Sequence, residues 1–142
     1  MLCQIVAALL TTVASPAADA AGDLSKMAGT WKSQLYVAEG TKWSAAQRET
    51  LELTIRGTGN NTLRIGEQVL HGTYRLDEAT SPRQIDITLT AGPDKGKKKL
   101  GIYELKGDVL RICVGPLGGE RPKTFASTPG SGVWLEEWQR VK

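Results

Sequence analysis

Few side chains in this 142-residue sequence could do acid–base or covalent chemistry. The single histidine, His71, would have to serve any Ser-His-Asp or Cys-His system. It sits in Val69-Leu70-His71-Gly72-Thr73-Tyr74-Arg75-Leu76. There Leu70, Gly72, Tyr74 and Leu76 share one side, and His71, Thr73 and Arg75 the other. That phase puts the imidazole on the outward face of a strand, with no nucleophile or orienting partner at a fixed spacing. A catalytic set therefore cannot be named, and an enzyme is not expected.

Metal chemistry fares no better. One His, Cys3 and Cys113 leave mainly carboxylates, and their spacing resembles neither a zinc nor a calcium site. No metal and no cofactor is expected. Cys113 reads as a small strand residue on the face of Val109 and Arg111, partly buried. Residues 115–119 are Gly-rich but precede no helix, so they lack the amide geometry of a phosphate loop. Lys95, Lys97, Lys98 and Lys99 crowd one hairpin with no aromatic residue among them to stack on bases. They read as a solvated loop that keeps a sheet edge soluble, and nucleic acid is not an expected partner. Asp86, Glu104 and Arg121 are harder to place. Arg121 lies in a Pro-bounded loop, from which it can reach back to a strand carboxylate as a structural ion pair.

The elements that must carry these residues are strands. Leu100 to Leu105 and Val109 to Val114 flank Lys106-Gly107-Asp108, a hairpin signal. Leu51, Leu53 and Ile55 alternate with Glu52, Thr54 and Arg56, and Ile85, Ile87 and Leu89 with Asp86, Thr88 and Thr90. A first strand runs over residues 29–37, with Trp31, Ser33, Leu35 and Val37 on one face. Residues 23–28 allow one helical turn before it. Ser44 and Gln47 form a capping-box pattern that opens a short helix after it, with Trp43 placed to staple that helix to the sheet. Residues 62–65 read as a weak strand, residues 115–132 as irregular, and residues 133–141 as the closing strand. About eight short strands joined by turns predict an all-β fold, a small antiparallel up-and-down barrel whose closure removes exposed edges.

Composition bounds the rest. Residues 1–18 carry no charged side chain, residues 5–13 are a short apolar core, and Ala18-Asp19-Ala20 fits a cleavage site. Residues 1–20 therefore read as a signal peptide and residues 21–142 as the mature domain, periplasmic or extracellular. Cys3 precedes the apolar run, so a lipid anchor at that residue is not expected. The formal charge is +3, and loss of residues 1–20, with one Asp and no base, leaves +4. That excess is too mild for a nucleic-acid footprint. With Cys113 alone, the mature chain has no internal disulfide, and it holds no segment long enough for a membrane helix. A monomer is expected.

Gly29-Thr30-Trp31 near the start and Arg140 near the end resemble the lipocalin signature, in which an arginine packs across a tryptophan at the closed end of the barrel. A longer series runs Gly72-Thr73-Tyr74-Arg75-Leu76-Asp77, Ile85-Asp86-Ile87-Thr88, Gly92-Pro93, Gly96-Lys97 and Gly101-Ile102-Tyr103-Glu104-Leu105. It continues through Gly107-Asp108, Ile112-Cys113, Arg121-Pro122, Phe125 and Pro129-Gly130-Ser131-Gly132. This series resembles a lipocalin-like domain family abundant in planctomycete bacteria. The resemblance spans residues 28–142 and implies a lipocalin-like barrel without implying an activity. Trp43, Tyr74, Tyr103 and Trp134 are then candidates to line a cavity, since eight strands leave room either for packed side chains or for one small ligand. Two functions follow as expectations: binding of a small apolar or amphipathic ligand, or a packed barrel that contacts a protein of the cell envelope.

Overall fold

The hairpin at Gly107-Asp108 forms and sets the frame of the barrel. The computed structural model describes residues 22–142, so the signal-peptide expectation lies outside the described residues. In chain order the elements are α1 (Asp23–Met27), β1 (Gly29–Ala38), β2 (Thr41–Lys42) and α2 (Ala45–Arg48). They continue with β3 (Leu51–Ile55), β4 (Asn60–Ile65), β5 (Gln68–Asp77), β6 (Arg83–Leu89), β7 (Lys98–Lys106), β8 (Val109–Val114) and β9 (Trp134–Arg140). From β3 to β9 each strand pairs antiparallel with the next, β1 pairs with β3, and β1 also pairs with β9 from Trp31 opposite Arg140 to Ala38 opposite Trp134. Eight strands thus close into the expected barrel, and the two-residue β2 is an extra ribbon on β1. Among the described residues no helix is long and apolar enough to cross a membrane.

Gly107 has φ 56° and Asp108 a negative φ, the pattern of a type II′ turn, which needs glycine first. The turn matters because Asp108 accepts from Arg140 Nε at 3.1 Å and pairs with Lys142 at 3.1 Å. Arg140 is thereby held over Trp31, its guanidinium 4.3 Å from the ring centre. Its other nitrogens donate to the carbonyls of Ala28 (2.7 Å) and Lys26, and so cap the C-terminal end of α1. The indole Nε1–H of Trp31 donates to Met27 O at 2.9 Å. Indole, guanidinium and helix form one plug at the closed end. Asp23 locks the plug from the far side: buried, it accepts from Tyr103 Oη at 2.7 Å and from Arg83 at 2.5 Å.

One expectation for β1 fails, and the reason is local. Between Ser33 and Leu35 the β1–β9 register shifts, so Gln34 is a β-bulge and the alternation changes phase there. Trp31 and Ser33 point inward as expected, but beyond the bulge Tyr36 is the buried residue, and Leu35 and Val37 are not. The bulge frees the carbonyl of Gln34 from the ladder, and Arg48 of α2 donates to it. The capping box that starts α2 is present in full, with Ser44 and Gln47 bonded reciprocally. Trp43 packs on Tyr36 with ring centres 4.7 Å apart, the staple expected of it.

Residues 115–132 are irregular, as expected, but they are tied down. Arg121 donates to Gly101 O at 2.7 Å and Ile85 O at 3.2 Å, and pairs with Asp86 at 2.7 Å. The segment covers the outer wall, where Ile102 and Cys113 are opposite each other on neighbouring strands and both fully buried. Glu104 is not part of this tie; it pairs with Lys106 at 2.8 Å near the hairpin tip. Arg121→Ala is expected to remove about 2 kcal/mol, since part-buried charge-assisted bonds are worth more than exposed pairs. Its effect should be local opening, read as at least a tenfold faster reaction of Cys113 with a disulfide reagent. An unchanged rate would mean that other contacts hold the segment down.

Candidate functional site

Opposite the plug, the barrel interior holds a cavity of about 90 Å3. Its apolar lining comes from positions the alternation turns inward, including Leu53 on β3, Leu63 on β4 and Ile87 on β6. Gly72 on β5 also lines it, at a position where a side chain would crowd Thr88 O at 3.0 Å. Polar groups also line it: Tyr36, Tyr74, Asn61 and Glu136 on the walls, with Lys99 and His71 toward the mouth. Glu136 is the unusual one. It lies directly opposite Tyr36 across the β1–β9 ladder, and its Oε2 accepts from Trp138 Nε1 at 3.0 Å. Trp138 Nε1 is the one hydrogen-bond partner of the Glu136 carboxylate among the described residues, whereas the fully buried polar side-chain atom left without a partner is Arg48 Nε, beside the bulge.

Burial governs the electrostatics here. It pushes the Glu136 carboxyl up to about 7, although the Trp138 N–H and the Lys99 ammonium both favour the ionised form. Tyr36 and Tyr74 are raised above the ordinary tyrosine value, by burial first and by the Glu136 charge second. Both hydroxyls therefore keep their protons and can act as donors. Aromatic rings meet at this end: Tyr36 stands edge-on to Trp134 at 5.4 Å and 88°, and near Trp138 at 6.4 Å. Lys99, inward-facing on β7, carries its ammonium 5.4 Å from the Trp134 ring centre. The arrangement can hold a small molecule by one charged or hydrogen-bonding end and surround the remainder with apolar side chains.

Of the four residues expected to line a cavity, Tyr74 and Trp134 do so. Tyr103 is buried near the plug with its hydroxyl on Asp23, and Trp43 packs on the far side of Tyr36. His71 is exposed at the rim, with Nδ1 3.5 Å from Thr62 Oγ1. Cys113 faces away from the cavity, covered by Ala126 at 3.7 Å, and burial pushes its thiol up. Tyr36 and Glu136 are the functional candidates that sequence reasoning missed. A signal for Glu136 was present in Trp134-Leu135-Glu136-Glu137-Trp138. If Arg140 stacks inward on Trp31, period-two alternation forces Trp138, Glu136 and Trp134 inward as well.

Fold and site together define a closed eight-stranded antiparallel barrel, plugged at one end by an arginine-capped tryptophan and holding a small polar-tipped cavity at the other. No protein-family model, no curated protein and no solved structure matches this chain.

Proposed function

We propose that this protein is an exported, lipocalin-like binding barrel that takes one small amphipathic molecule into its open-end cavity. The observation that carries this reading is the convergence of Tyr36, Tyr74 and Glu136 on one cavity whose remaining walls are mainly apolar. Convergent polar groups in an apolar pocket are the usual form of a small-molecule site. Export is supported by the apolar, uncharged N-terminal residues and their small-residue cleavage pattern. Membership of the lipocalin-like family is supported by the Trp31–Arg140 stack, which has the geometry that the resemblance implies. A binding role rather than catalysis is supported by the exposed position of His71, away from any paired carboxylate.

Size favours a second reading. A volume of about 90 Å3 matches roughly three water molecules, well short of the several hundred Å3 of drug-sized pockets. A packed barrel acting through its loops on an envelope protein fits that smallness. Native mass spectrometry of protein purified from its own host separates the two. Binding predicts an added mass below that of a drug-sized compound, lost in Leu70→Trp, which fills the cavity mouth. Folded protein that carries no added mass would favour the packed barrel.

A further inference from the structure

We propose that the cavity selects an organic ammonium, with Glu136 as its counter-ion, Tyr36 and Trp134 as its aromatic walls, and the alkyl body of the ligand in the apolar mouth. This rests on the binding reading above and names the ligand class. Three observations converge on it. The free oxygen of Glu136 is the one anionic acceptor among the cavity-lining residues, and a bound anion would be repelled by it. Tyr36 and Trp134 meet at 88°, which makes the corner of an aromatic cage of the kind that attracts cations through ring quadrupoles. Most directly, the protein already seats an ammonium there: Lys99 lies 5.4 Å over the Trp134 ring, yet no ion pair joins it to Glu136.

Lys99 shows that a cation is accepted at the mouth, and the carboxylate deeper in feels that charge without an ion pair at contact distance. A neutral ligand would leave that charge without a contact ion pair in a mainly apolar interior. The available volume suits a head of about three to five non-hydrogen atoms, the size of a methylated or simple alkyl ammonium, and excludes a sugar or nucleotide. The charged and titratable groups around Glu136 are Tyr36 on β1, Tyr74 and the rim His71 on β5, and Lys99 on β7. On β8 the cavity lining is Val114, with Cys113 facing outward. None of these supplies a second anion.

The test is tryptophan fluorescence and calorimetric titration of the full chain at pH 8 with butylammonium, tetramethylammonium, 1-butanol and butyrate. At least tenfold tighter binding of the ammonium ions than of butanol is expected, with no binding of butyrate. Glu136→Gln should erase that preference. Lys99→Gln, a change at a half-buried residue of the cavity mouth outside the buried core, should tighten ammonium binding several-fold by removing the resident cation, so the proposal remains testable if Glu136→Gln misfolds. Butanol binding as tightly as butylammonium, unaltered in both variants, would overturn the ammonium assignment and leave the cavity reading standing. Tighter binding of butyrate would overturn it too. Absence of binding by all four probes would overturn both readings together.

Discussion

Replacing Trp31 with alanine should remove about 4 kcal/mol of unfolding free energy, a large part of what a domain of this size possesses. The side chain is fully buried, and it is the piece on which three separate elements converge. Removing it leaves a cavity between β1 and β9 and takes the donor from Met27 O. It also deprives the Arg140 guanidinium of the ring face 4.3 Å away. Arg140 keeps its bonds to Ala28 and Asp108, so the closed end should loosen rather than invert. Trp31→Phe separates the contributions: it retains most of the packing and loses the N–H, and should cost about 1–2 kcal/mol. Denaturant midpoints for the three proteins at constant slope are the measurement. A loss below about 1 kcal/mol for Trp31→Ala would show that the barrel closes without its plug.

That plug was legible in the sequence because it depends on two residues near the ends of the barrel, whose types leave few alternatives. The strands were legible for a related reason. In Leu51 to Ile55 and Ile85 to Leu89 one face is apolar and the other polar, so a one-residue slip would exchange core for solvent. Where the structure departs from expectation, an event invisible to alternation is responsible. The bulge at Gln34 adds one residue to β1 alone, and the carbonyl it releases is satisfied by Arg48, fourteen positions away. Nothing in residues 29–38 announces that, and so Tyr36 went unassigned as an inward residue. Cys113 is a second case: its strand phase is outward as read, yet it is fully buried because a Pro- and Gly-rich segment folds over it. Asp23 is a third, since a polar residue in one helical turn becomes buried only through Tyr103 and Arg83, eighty and sixty positions distant. Where no bulge intervenes, local pattern fixes which face a residue takes; what covers that face is decided by long-range contacts.

Glu136 should make the protein lose stability as pH rises through neutrality, the opposite of the usual behaviour of a paired carboxylate. Its carboxyl is carried by burial from 4.5 to about 7 in the folded state. Between those values the native protein holds a proton that the unfolded chain has released, so each rise in pH favours unfolding. The stabilisation is complete below about pH 4.5 and is lost once pH passes about 7, a difference of about 3 kcal/mol. Other shifted carboxylates act with the opposite sign and in a different range. Glu52 beside Lys32, Glu104 beside Lys106 and Asp108 beside Lys142 are held below their ordinary values. Their contribution is present at neutral pH and is lost only in acid, and these exposed pairs are screened by solvent. Between pH 5 and 8 the slope therefore belongs to Glu136, moderated by the Lys99 ammonium at the mouth. Glu136→Gln keeps an acceptor for the Trp138 N–H and has no proton to release. It should flatten the profile and leave the variant more stable than the parent at pH 8 by about 3 kcal/mol. Urea midpoints at four pH values across this range are sufficient. A parent profile that is flat or rises with pH, or a glutamine variant that keeps the slope, would place the titration elsewhere. A saturating ammonium ligand should offset the loss at high pH, because it supplies the charge that the interior lacks.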